Sequence, residues 1–95
     1  MSENARVILI GRKPAMSYVL AAITSFSAPD VKELTLKARG KSITTAVDVA
    51  EIVRNRFMKE VKVSKIAIGT EEMPPREGEA KGRMVSTMEI RLAKG

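Results

Sequence analysis

LTLKARGKSITTAVDVAEIVRNRF, residues 34–57, changes period in the middle. Over Val31–Ala38 the chain alternates, with Leu34, Leu36 and Ala38 on one face and Glu33, Thr35 and Lys37 on the other, which predicts a half-buried strand. Gly40 ends that run. From Ser42 the apolar positions Ile43, Ala46, Val47, Ala50, Val53 and Phe57 form one helical stripe, which predicts a helix to about Lys59, capped by Ser42 or Thr44.

The stretch before it has the same plan. RVILI, residues 6–10, is an almost continuous apolar run and predicts a central strand buried on both faces. Gly11 breaks it, and Pro14 suits a first helical turn, where its missing N–H costs nothing. Ala15, Met16, Val19, Leu20, Ile23 and Phe26 then recur at helical spacing up to Ser27, before the turn signal Ala28-Pro29-Asp30. Beyond the opening block, residues 61–72 and 83–93 predict two more strands, with Met84, Met88, Ile90 and Leu92 on one face of the last. The Pro-, Gly- and charge-rich MPPREGEAKG, residues 73–82, joins them as a long hairpin with a projecting tip. The order is β-α-β-α-β-β in a single α+β domain spanning residues 1–95, with no internal repeat.

Composition narrows the function. Ninety-five residues with two Phe, one Tyr and no Trp make a small aliphatic core, for which self-association is an expected support. There is no Cys and no His, which removes disulfides, thiolates, and the commonest general base and metal ligand. No metal or cofactor is expected. No apolar run approaches the roughly 20 residues of a membrane span, and the polar start MSENARV is unlike a signal peptide, so a soluble cytoplasmic protein is expected.

Lys and Arg number 17 against 11 acids, a formal charge of +6. The surplus is confined to residues 1–70, because residues 71–95 carry five of each sign. A basic balance of this kind points to a polyanion, nucleic acid first. Two segments concentrate it. Arg12 and Lys13 lie in the first strand-to-helix turn, and Lys37, Arg39 and Lys41 surround the second, with no acid among them. In a β-α-β unit both turns lie at one edge of the sheet, and each ends at a helix start, which favours anions. Five cations are therefore expected to converge there without neutralising partners; scattered, solvated loop charges are the alternative.

Other patterns carry less. Gly40-Lys41-Ser42 before a helix is similar to a phosphate-binding loop, but Thr35 stands where the pattern needs its other Gly. Arg54-Asn55-Arg56 suits a helix C-terminus. Asp48 and Glu51 can share a helix face, for which pairing with Arg54 or Asn55 is a sufficient reason. Arg76, Lys81 and Arg83 on the hairpin face four acids over residues 71–83, so the hairpin alone is a weak electrostatic hook.

Taken together, VILIGRKPAMSYVLAA, the 34–57 block and the terminal STMEIRLAK resemble the Alba family of archaeal chromatin proteins, from about residue 5 to the C-terminus. That resemblance implies a four-stranded mixed sheet with two helices on one face and a β-hairpin arm. It implies a homodimer that coats and compacts double-stranded DNA without sequence preference, and that associates with the chromosome. It also implies RNA binding in some members, as ribonucleoprotein subunits or RNA chaperones. By position, Arg12, Lys13, Lys37, Arg39 and Lys41 correspond to the family's nucleic-acid surface, and the arm, with Arg76, Lys81 and Arg83, to a segment reaching along the minor groove. Arg54 and Phe57 correspond to contacts between dimers. Where the family often has an acetylatable Lys this chain has Arg12, which leaves Lys13 as the candidate for that modification. A small nuclease is the less favoured alternative, and a peripheral membrane binder comes last.

Overall fold

The computed structural model describes residues 5–78 and 80–94. Strand β1 (Ala5–Leu9) leads into helix α1 (Ala15–Ser27), then β2 (Glu33–Arg39), α2 (Ser42–Ile52), β3 (Val61–Met73) and β4 (Arg83–Lys94). The sheet order is β1-β2-β4-β3. β1 and β2 are parallel, and β4 runs antiparallel to both β2 and β3. This is the expected α+β fold.

Local chemistry sets the boundaries. Pro14 is extended at φ −57°, ψ 147°, so α1 begins after it, and Ala28 is extended because Pro29 follows. β2 stops where Gly40 takes φ 58°, a left-handed angle that a side chain there would strain by about 1–2 kcal/mol. The Gly40 N–H donates to the Ser86 carbonyl of β4.

Both helices cover one face of the sheet. Leu34, Leu36, Ala38, Ile90 and Leu92 rise from it into Val19, Ala22 and Phe26 of α1 and Ala46, Val49 and Ala50 of α2. Both helical stripes are narrower than expected: Met16 and Leu20 of α1 and Val47 of α2 lie outside the core, while Tyr18, Ala22 and Val49 are inside it.

Three expectations about elements need correction. β1 is not central. It is an edge strand, and although Ile8 and Ile10 face the helices, Val7 and Leu9 are 55% and 73% exposed on the open face. A two-sided apolar run records hydrophobicity, not which side finds a partner. The second helix does not continue in one form to Lys59: α2 ends at Ile52 and the chain widens into a π-type turn, Val53–Phe57, that closes with Met58 N–H on the Val53 carbonyl. Finally, neither Ser42 nor Thr44 caps α2. Lys41 occupies the cap position, in a helical conformation and without a side-chain cap bond.

The β3–β4 hairpin outgrows the body. Arg39 opposite Thr87 is the last β2–β4 pair, whereas β3 and β4 continue to Met73 opposite Arg83. Four further rungs at roughly 3.4 Å each give a ladder of about 14 Å beyond the sheet. The strands approach closely at its end: a Cβ on Gly82 would lie 2.3 Å from the Met73 carbonyl oxygen, so Gly is required there.

Candidate nucleic-acid interface

Because β1 and β2 are parallel, both strand-to-helix turns emerge from the same sheet edge. Because β4 is antiparallel to β2, the hairpin arm emerges from that edge too. Side chains and backbone then join the turns. The Ile10 N–H donates to the Lys37 carbonyl at 2.8 Å, and the Ser42 hydroxyl, which does not cap its own helix, donates to the Gly11 carbonyl at 3.3 Å. The Tyr18 hydroxyl, one turn into α1, accepts the N–H groups of Gly11 at 2.9 Å and Lys13 at 3.1 Å. The first basic turn is therefore fastened to its own helix and to the second turn.

The result is an open concavity of about 870 Å³ between the two turns and the arm. Arg12, Lys13, Arg39, Lys41, Arg76 and Arg83 line it, with Ser42 and Thr45 on its floor. Both helix starts open near it and add partial positive charge. Arg12, Lys13 and Lys41 are exposed and make no ion pair among the described residues. The Arg83 Nε is buried and finds no acceptor, a donor the fold itself leaves unsatisfied.

The convergence expected from the sequence is present, with two corrections. Arg39 has a neutralising partner: its Nη1 lies 3.1 Å from Glu71 Oε1 and 3.5 Å from the Met73 sulfur, both on the arm. The pairing crosses β4 and joins residues 32 apart, which no local pattern displays. Lys37 does not join the concavity. It stands on the same open face as Arg39 but two residues further back along β2 from the edge where the turns emerge, between Leu9 and Glu89 in the register. Of the hairpin cations, Arg76 and Arg83 line the concavity and Lys81 is exposed without lining it. Arg54 pairs with Glu51 at 2.7 Å, as the helix spacing predicted, and Phe57 is 52% exposed at the end of the π-type turn.

Sequence reasoning missed Tyr18 and the Ser42 hydroxyl. A lone Tyr in an apolar helical stripe gives no sign that its oxygen serves the turn before it. The uncovered apolar strip on β3 was also missed. Val63, Ile66 and Ile68 face the helix side, but among the described residues α1 packs on β1 and β2, α2 on β2 and β4, and the π-type turn is the helical segment that meets β3. Ile68 is 79% exposed and Met84 of β4 lies beyond it. Among the described residues no group of three or more His, Cys, Asp or Glu could hold a metal ion, and no helix is long and apolar enough to cross a membrane.

Comparison with known proteins places this geometry among relatives. The family model described as Alba matches residues 6–70. DNA/RNA-binding protein Alba of Methanocella arvoryzae is 50% identical over 86 residues, which are 90% of this chain and 86% of that protein. DNA/RNA-binding protein Alba 1 of Archaeoglobus fulgidus is 48% identical, and the alignment covers 99% of both chains. Among solved structures, Alba from Thermoplasma volcanium superposes with a TM-score of 0.82 at 42% identity, over 93% of this chain and 99% of that one. ALBA1 of Trypanosoma brucei gives 0.67 at 26% identity, covering all of this chain and 72% of that one.

Proposed function

Since this chain belongs to the Alba family, we propose that it binds nucleic acid, and that it does so as a homodimer coating duplex DNA through the phosphates. One observation carries the reading: six cations from two turns and an arm surround a single concavity at the sheet edge. Lys and Arg there replace the counterions condensed on a polyanion, whose release drives binding without regard to sequence. Nothing on the concavity resembles an exposed recognition helix that would read base edges, and the chain's three aromatic residues are too few for a stacking platform.

A second copy completes the surface. The uncovered Ile66, Ile68 and Met84 form an apolar strip that this copy covers, and a two-fold axis then sets two concavities and two arms on one side. Arg54 and Phe57, off this strip, provide contacts between dimers on one duplex. Lys13 is exposed, and its acetylation would remove one of the six charges. Such a protein would reside on the chromosome in the cytoplasm.

A salt titration tests the mechanism. With about 5–9 phosphates touched per dimer, log K against log[salt] falls with a slope on the order of −4 to −8. A slope near zero overturns the reading. The relatives' names join DNA with RNA, so the titration is run in parallel with a structured RNA at the same salt. Tighter RNA binding replaces the duplex-DNA reading with the RNA one.

A further inference from the structure

We infer that Glu71 is an internal competitor for Arg39, a carboxylate that occupies one of the six cations until a phosphate displaces it. The inference deepens the nucleic-acid reading above and rests on it. Arg39 is the last residue of β2, on the open face, and its guanidinium crosses β4 to meet the base of the arm. Glu71 and Met73 lie two apart on β3, hence on one face, and both engage the same Nη1, at 3.1 and 3.5 Å. Arg39 thus lines the concavity already paired with an arm carboxylate, while Arg12, Lys13 and Lys41 make no such pair among the described residues.

The pair is built for exchange. Both side chains are 54% exposed, so the ion pair is weak and screened, and either partner can leave without burying a bare charge. A phosphate in the concavity carries its charge on several oxygens and meets the guanidinium fork in two places, where Glu71 offers one contact. The competitor therefore raises the threshold. A lone monoanion gains little by displacing Glu71, whereas a chain of phosphates held simultaneously by Arg12, Lys13 and Lys41 displaces it readily. The ligand class this selects is a polyanion with closely spaced phosphates. Exchange also severs the side-chain tie between the end of β2 and the arm, leaving the Gly40 to Ser86 backbone bond as the adjoining link.

The test is a double-mutant cycle read by duplex-DNA affinity at one moderate salt concentration. Glu71→Gln is compared with Glu77→Gln, which removes the same charge from the arm tip, where Glu77 makes no ion pair among the described residues. The expected result is an affinity gain of about two- to fivefold for Glu71→Gln beyond that of Glu77→Gln, the range of an exposed pair. On an Arg39→Ala background the excess disappears. Equal gains from the two variants, or an excess that survives without Arg39, overturn the inference. If wild-type protein binds the duplex and the two variants match, Glu71 alone loses its role; if wild-type protein binds no duplex at any salt, the functional reading falls with it.

Discussion

Tyr18 shows how much one oxygen arranges. Its ring belongs to the core, while its hydroxyl accepts two backbone N–H groups from the turn that carries Arg12 and Lys13. Those groups are part-buried, so removing the acceptor leaves two donors poorly satisfied. Tyr18→Phe keeps the ring and deletes the acceptor. The expected outcome is a loss of about 1–2 kcal/mol in a urea melt, together with a several-fold weaker affinity for duplex DNA. A variant with unchanged stability and affinity would show that the turn holds its shape without the staple. Single residues differ in how far the sequence reveals them. Arg12 and Lys13 were readable as a candidate site because charge without a neighbouring acid is visible in a sequence. Tyr18 was not, because its position fits an apolar stripe and its partner lies seven residues back. Glu71 was readable as an acid but not as the partner of Arg39, because the strand order that places β4 between them is a property of the sheet.

At the scale of elements, punctuation was legible and neighbourhood was not. Pro14, Pro29 and Gly40 act through their own backbone angles, so the limits of α1 and the end of β2 follow from the chain itself. Whether RVILI sits in the middle of the sheet or at its edge depends on what lies alongside, and its apolar residues fit either place. The same holds for Ser42: a helix-start serine is expected to cap, yet here its hydroxyl crosses to the Gly11 carbonyl. That bond and the Tyr18 staple make the two turns one unit, and the unit predicts how a change in it behaves. Arg12→Ala together with Lys13→Ala alters only exposed side chains, so the fold and its melting behaviour persist. Affinity is expected to fall alike for duplexes of unrelated sequence, and the salt slope is expected to become shallower by about 0.9 for each phosphate no longer neutralised. Fluorescence anisotropy with three unrelated duplexes checks this, and weakening confined to one sequence would contradict phosphate-directed binding.

Across the whole molecule, two different surfaces depend on the same strand order. Placing β3 at the edge next to β4 lets the hairpin run past the body to form the arm, and it also leaves the helix-side face of β3 beyond Val61 largely uncovered by α1 and α2. Val63, Ile66 and Ile68 stay exposed for that reason. A 95-residue chain with an aliphatic core has little stability to spare, and covering Ile66 and Ile68 contributes roughly 1.5–3 kcal/mol per side chain fully buried. On the proposed pairing, the copy that covers them also doubles the number of cations presented to one duplex. Assembly and binding should therefore fail together, and in a defined order. Ile68→Lys puts a charge into the strip without touching the concavity or the buried core. Sedimentation is expected to show a monomer at concentrations where the wild type is a dimer, and the wild-type Tm, unlike that of the variant, is expected to rise with protein concentration. Because each monomer then reaches about half the phosphates, the salt slope of the variant is expected to drop to about half the wild-type value. A variant that sediments as a dimer would move the interface elsewhere. A monomer that keeps the full slope would mean that one concavity and one arm suffice, and that pairing of copies serves stability alone.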